Sequence, residues 1–286
     1  MKPASFEYLA PNKLSEAVSL LSELGEEASI MAGGQSLVPS MTVRLASPDT
    51  IIDVNNIKEL KNINIDDQNI RIGALVTHSE VENSEQLRSV LPILSTIAKH
   101  IAHPTIRNRG TFGGSLAHAD PAAEWPCVLL GMNGSIKANS VRGERTIEAK
   151  DFFQSFFSTA LETDEILTEA IIPLSATRSS WVFQEVSKQV GAFGIVFVLV
   201  GVLKNQSGLV EDVCAVLGGC GDVPLIPSVN QTIIVGKIPT INLVEQYTAE
   251  IIRSLDPPSD INATKGNRIQ MARTLLMRAL TEALSL

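Results

Sequence analysis

Ala102-His103-Pro104-Thr105-Ile106-Arg107-Asn108-Arg109-Gly110-Thr111-Phe112-Gly113-Gly114-Ser115-Leu116-Ala117-His118-Ala119-Asp120-Pro121-Ala122-Ala123-Glu124 is the stretch on which the reading of the whole chain turns. A glycine doublet stands in it between two hydroxyl residues. A second doublet lies far upstream in Ala32-Gly33-Gly34-Gln35-Ser36-Leu37, directly after a short apolar strand over 28–32. Adjacent glycines reach positive φ and leave main-chain amides uncovered. Successive bare N–H groups make an anion-binding concavity, and the serine and threonine hydroxyls add donors. Either doublet alone also reads as plain turn punctuation. Together they have the composition to clamp a diphosphate from two sides. Neither G-x-G-x-x-G nor G-x-x-x-x-G-K-[ST] occurs, so no Rossmann or P-loop element supplies those amides.

Outward from the doublets the pattern alternates between helix and strand. Asn12 is placed to cap a helix with Leu14, Ala17, Val18, Leu21 and Leu24 on one face and Gly25 at its end. Strands follow at 51–54 and 70–74 with a turn at 66–69, so the first 55 residues read as a small α/β unit. Ile93, Leu94, Ile97, Ala98 and Ile101 recur at helical spacing, and Pro104 is expected to stop that helix. Asp120 before Pro121 reads as the N-cap of a short helix over 122–130. Strand-like runs come at 134–138, 145–149 and 166–172.

The polar, small segment 173–180 marks the expected domain boundary. Strands at 181–187, 195–203 and 210–217 then form a hairpin-connected sheet with a turn at Asn205-Gln206-Ser207-Gly208, and two helices near 241–255 and 269–283 close the chain. The expected architecture is α+β. Residues 1–176 form one domain of two small α/β subdomains (about 1–55 and 56–176), and 177–286 form an α+β domain of antiparallel sheet and helices.

Composition narrows the function classes. The chain has 286 residues, 44% apolar and 19% charged, enough to bury a large core. Twenty-three Lys and Arg against 31 Asp and Glu give a net charge of −8 with no basic run, which argues against nucleic acid as a partner. The N-terminal residues do not read as a secretion signal, and the longest apolar run, 192–203, is rich in Val and Ile and too short for a membrane helix of about 20 residues. Three cysteines without a C-x-x-C pair suit a reduced, cytoplasmic protein. His100 and His103 lack nearby Cys or carboxylate to complete a zinc set. Ser36 lacks the final glycine of a G-x-S-x-G elbow. His118 reads as a packing residue near the second doublet, and His78 as structural or close to a ligand. Arg107 and Arg109 are placed to meet phosphate, a partner or solvent.

The two doublets in this order, with the 102–111 and 119–124 strings around the second, resemble the FAD-binding medium subunit of the molybdenum hydroxylases, the carbon monoxide dehydrogenase and xanthine dehydrogenase family. The likeness runs the length of the chain. It implies a p-cresol methylhydroxylase-type FAD domain followed by the family's C-terminal flavoprotein domain. It implies that Ala32, Gly33, Gly34, Gln35, Ser36 and Leu37, with Thr111, Gly113, Gly114 and Ser115, hold the FAD diphosphate. Asp120 and Glu124 stand where the family's acidic segment meets the cofactor, Glu124 as a hydrogen-bonding residue, and Ile101 where an apolar side chain packs near the adenine end. Phe193 occupies the place of a frequent Tyr against the flavin ring, Lys188 that of a frequent Arg, and Ala192 that of a common acidic residue. The family's division of labour implies no metal on this chain. Substrate, with a nitrogen heteroaromatic preferred, is oxidised at a molybdenum–pterin in a large subunit, and electrons cross two [2Fe–2S] clusters in a small subunit to FAD here. The assembly implied is a heterohexamer with two copies of each subunit. Three cysteines cannot ligate two clusters of four thiolates each, in keeping with that division. The alternatives are a stand-alone FAD-dependent reductase, such as an enolpyruvyl-sugar reductase, and a non-enzymatic nucleotide-binding module.

Overall fold

The computed structural model describes residues 2–286. Its first unit is a parallel three-stranded sheet. β1 (Glu7–Leu9), α1 (Leu14–Leu24), β2 (Ala28–Met31), the short α2 (Leu37–Thr42) and β3 (Thr50–Asp53) follow in order. β3 lies between β1 and β2 and is parallel to both. Ala17, Val18 and Leu21 of α1 bury against Ile52 and Val54, as their helical spacing requires. Asn12 is not the cap of α1. That position belongs to Lys13, and the start is held by Glu16, whose Oε2 accepts the Asn12 amide at 3.1 Å, and by Glu59, which accepts the Leu14 amide at 2.9 Å.

The second unit is a five-stranded sheet in which every pairing is antiparallel, built from β4 (Ile63–Ile65), β5 (Asn69–Gly73), β6 (Ser135–Ser140), β7 (Gly143–Glu148) and, with the small hairpin β8 (Phe153–Ser155) and β9 (Ser158–Thr159) between, β10 (Ile166–Pro173). The order is β4-β5-β10-β6-β7. Between β5 and β6 the chain makes a run of short helices: α3 (His78–Asn83), α4 (Glu85–Val90), α5 (Ile93–Ala98), α6 (Pro104–Arg107), α7 (Phe112–His118) and α8 (Glu124–Gly131); α9 (Ala149–Phe152) follows β7. Pro104 does not stop α5, which ends at Ala98; it is the first residue of α6, where a missing amide hydrogen costs nothing. Asp120 likewise does not cap α8. Its Oδ1 accepts the Ala122 amide at 2.8 Å in a tight side-chain turn that follows left-handed Ala119, and the helix begins at Glu124.

The C-terminal unit is a three-stranded antiparallel sheet, β11 (Ser180–Ser187), β12 (Gly194–Lys204) and β13 (Val210–Gly218), with α10 (Ile241–Ser254) and α11 (Lys265–Leu284). β12 explains the longest apolar run. Phe197 and Leu199 point into the core formed with α8, while Val196, Val198, Val200 and Val202 point into the core under α10 and α11. A central strand covered on both faces has no solvent side, so the usual polar alternation is lost. The same packing makes α8 buried along its length and fuses the second unit to the C-terminal sheet through one hydrophobic core. Among the described residues, no helix is long and apolar enough to cross a membrane.

Candidate functional site

Both glycine doublets lie where strands end. β2 and β3 run parallel and finish side by side, and ligands of open α/β sheets bind beyond such carboxyl ends. From β2 the chain enters Ala32–Ser36, where three successive carbonyls are held by hydrogen bonds, the first by a neighbouring element and the next two locally. The Ala32 oxygen accepts from Asn55 Nδ2 at 2.6 Å, the Gly33 oxygen from Gln35 Nε2 at 3.0 Å, and the Gly34 oxygen from the Val38 amide at 3.0 Å. In a planar trans peptide the following N–H points opposite to the carbonyl. The amides of Gly33, Gly34 and Gln35 therefore face away from those anchors, and with Ser36 they donate to no acceptor among the described residues. Gly34 has φ +71°, a conformation that favours glycine. Ser36 precedes α2 and its hydroxyl is not spent on capping it.

The second doublet touches the first. A β-carbon on Gly33 would lie 2.2 Å from the Arg109 carbonyl oxygen and 2.7 Å from Gly110 Cα. One on Gly114 would lie 2.7 Å from Thr111 Oγ1 and 3.5 Å from Ala32 Cβ. More than seventy residues apart, the two segments are in backbone contact. Their chemistry differs, however. Gly113 and Gly114 form the first turn of α7 rather than a loop, because Thr111 caps that helix by accepting the Gly114 amide at 3.1 Å. The Phe112, Gly113 and Ser115 amides are also taken, by Val76, Ala74 and Thr111 carbonyls. The expectation of bare amides on both doublets thus applies to the first alone. What the second offers outward is the Ser115 hydroxyl and a close-packed backbone: a β-carbon on Gly113 would meet Ala74 at 2.6 Å.

The acidic segment follows α7. Glu124 is the first residue of α8 and is buried, and its carboxyl is pushed up to about 8, first by burial and then by the nearby Glu185 and Asp120. At neutral pH it holds a proton and is able to donate a hydrogen bond. Glu185, on β11, was not anticipated. Burial raises it to about 7, its Oε2 has no hydrogen-bond partner, and that atom lies 3.9 Å from His100 Nδ1. The available signal was a charged residue among the inward positions of an apolar strand. Ile101 is buried in the core, and its carbonyl accepts from Arg107. Arg107 is spent inside the protein, 2.8 Å from Glu82 and bonded to the Ala102 carbonyl, whereas Arg109 is exposed.

Three of the histidines touch aromatic or main-chain neighbours. His78 is buried, its Nδ1 accepts the Trp125 indole N–H at 3.0 Å, and burial followed by Arg107 lowers its pKa to about 4. His118 stacks on Phe157 with ring centroids 4.8 Å apart. His103 packs under the β11–β12 turn, where a β-carbon on Gly191 would lie 2.5 Å from its ring. That turn carries Lys188, exposed, and Phe193, 67% exposed. Resting on His103, it faces the 102–110 segment that in turn contacts Gly33. Cys127 and Cys220 are buried and Cys214 partly so; burial raises all three thiols, which leaves them unreactive.

A diphosphate fits the first segment: four successive amides without acceptors, a free hydroxyl, no side chain on two successive residues, and exposed Arg109 at the contact. Residues 4–175 match the family described as the FAD binding domain in molybdopterin dehydrogenase, and residues 181–283 match the CO dehydrogenase flavoprotein C-terminal domain. The nicotine 6-hydroxylase medium subunit of Paenarthrobacter nicotinovorans is 38% identical over 284 residues, covering 99% of both chains. The carbon monoxide dehydrogenase medium chain of Hydrogenophaga pseudoflava is 31% identical, covering 99% of this chain and 98% of that one. Among solved structures, quinoline 2-oxidoreductase from Pseudomonas putida 86 superposes with a TM-score of 0.95 at 31% identity, over 100% of this chain and 99% of the other. A chain matched end to end in sequence and in structure belongs to the FAD-binding medium subunits of the molybdenum hydroxylases.

Proposed function

We propose that this chain is the electron-transfer subunit of its complex, taking electrons from [2Fe–2S] clusters of a small subunit and delivering them to an external acceptor. A large molybdenum–pterin subunit would hydroxylate the substrate, and two copies of each subunit would assemble. Bound FAD supplies the redox chemistry, able to exchange two electrons with its partners. The chain's own part is to seat and orient it. The amides of Gly33, Gly34, Gln35 and Ser36 take the diphosphate, with the Ser115 hydroxyl and Arg109 alongside. Glu124, protonated at neutral pH, offers a donor to a cofactor oxygen, with Asp120 beside it. Phe193 and Lys188 close over the ring from the β11–β12 turn, and Ile101 and Leu37 supply apolar backing.

The observation that carries this reading is the set of four acceptor-free amides on a loop in contact with the segment leading to the second doublet. Names of relatives favour a nitrogen heteroaromatic substrate: nicotine for one medium subunit, and caffeine for a dehydrogenase subunit 32% identical to this chain. The test is to co-express the chain with iron–sulfur and molybdenum chains of the same family and to add quinoline, nicotine or carbon monoxide without oxygen. A heteroaromatic is expected to bleach the flavin's visible absorbance only when all three chains are present. Turnover by the isolated chain with NAD(P)H would overturn the subunit role.

A further inference from the structure

The Ala32 carbonyl could have been left to solvent, as strand ends often are. Instead it is held by a side chain from the neighbouring strand. Asn55 follows β3, and its Nδ2 donates both to the Ala32 oxygen at 2.6 Å and to Asp53 Oδ1 at 2.6 Å. Asp53 Oδ1 also accepts the Asn55 amide at 2.9 Å, and Asp53 Oδ2 accepts the Tyr8 hydroxyl at 2.5 Å. A chain of hydrogen bonds thus runs from β1 through β3 to the exit of β2, crossing all three parallel strands.

We propose that Asn55 is the positioning residue of the diphosphate cradle: it fixes the Ala32–Gly33 peptide so that the Gly33 N–H points away from Asn55, while Asp53 and Tyr8 hold the Asn55 amide in place. The inference rests on the reading of the 33–36 amides as the diphosphate seat. The turn after β3 does not need the Ala32 bond, since the Asp53 side chain and the Asn55 main chain already close it. The second bond reaches 23 residues back in the chain to the one carbonyl whose orientation sets the first cradle amide. Without it, no other hydrogen bond to the Ala32 carbonyl orients that peptide, and the amide is ordered in part by the ligand at binding.

The test uses the full chain stripped of flavin and titrated with FAD, with ADP (a diphosphate without the flavin) and with riboflavin (the flavin without the diphosphate). Asn55→Ala and the uncharged, near-isosteric Asn55→Leu, which lacks the N–H donor, are each expected to weaken FAD and ADP in parallel by about tenfold, the loss of one oriented hydrogen bond. Riboflavin affinity should not change. Tyr8→Phe, which removes one exposed hydroxyl and keeps the strand, is expected to weaken both diphosphates about twofold to threefold and serves if the Asn55 variants fail to fold. Asn230→Ala, which removes a like turn cap far from the cradle, should lower the melting temperature without touching FAD or ADP. Variants at Asn55 that melt lower yet bind both diphosphates as tightly as wild type would overturn the inference alone. Failure of ADP to displace FAD from wild type would remove the seat itself, and the positioning role with it.

Discussion

Replacing Gly33 by alanine tests the contact on which the site depends. The added methyl would lie 2.2 Å from the Arg109 carbonyl oxygen, 2.7 Å from Gly110 Cα and 2.8 Å from the Arg109 carbonyl carbon. All three are main-chain atoms, so no flexible side chain can swing aside. Ordinary contact requires the two segments to part by about 1 Å. Gly110 is held from the other side by the buried His78 ring, and its carbonyl accepts the His78 amide, so the shift must spread into α3 and α6. Overpacking of this kind costs about 1–3 kcal/mol, which lowers the melting temperature of the flavin-free protein by roughly 2–10 °C. The same displacement shifts the loop that carries the proposed 33–36 diphosphate amides, and FAD affinity should fall about tenfold or more. Thermal melts of stripped protein and FAD titrations by flavin fluorescence measure the two effects separately. A Gly33→Ala chain that melts and binds FAD like wild type would refute the claim that the doublets meet through bare glycine.

Other perturbations separate local from cofactor effects. Gly266→Ala, at the start of α11 with nothing closer than 4.0 Å to the new methyl, should stabilise the chain by about 0.4–1 kcal/mol in urea unfolding; a loss would contradict the open space there. Phe193→Ala should leave the flavin-free melting temperature unchanged, because the ring is 67% exposed, while altering the fluorescence of bound FAD; unaltered fluorescence would exclude the ring contact. Glu124 and Glu185 are acids raised in the folded protein to about 8 and about 7. Each contributes stability that is full below the ordinary carboxylate range and is lost as pH rises through those values, by up to about 1.4 kcal/mol per unit. Glu124→Gln should therefore flatten the decline in stability between about pH 5 and 8. His78, lowered to about 4, works oppositely: stability falls as acid crosses from 6.5 to about 4, and a Glu124→Gln variant should retain that limb. A decline between pH 5 and 8 as steep in the variant as in wild type would show that Glu124 ionises freely.

Much of the fold is legible in periodicity. The two-faced spacing of α1 and α11 and the apolar run of β12 come from burial that each segment needs wherever it packs, so local sequence suffices to find them. Helix starts in 102–124 are less legible. Thr111 turns a glycine doublet into a helix by capping it, and Pro104 and Asp120 suit more than one place at a helix end, which only the neighbouring elements decide. The site divides in the same way. Glycine doublets and their flanking hydroxyls are visible because only glycine permits bare, close-packed backbone. Asn55 is not, since an Asx residue after a strand reads as a turn, and Glu185 is marked only by standing in phase with Phe183 on the inward face of β11.

By itself the sequence determined which peptides lack side chains, which faces must leave water, and the family to which the motifs belong. The tertiary structure alone decided that the Gly33 backbone meets Arg109 and Gly110, that one doublet has free amides and the other has spent them, and that two carboxyls are buried close together at the seam of two units. Hydrogen-bond satisfaction and desolvation depend on what the rest of the chain brings within a few ångströms. No local pattern encodes that distance.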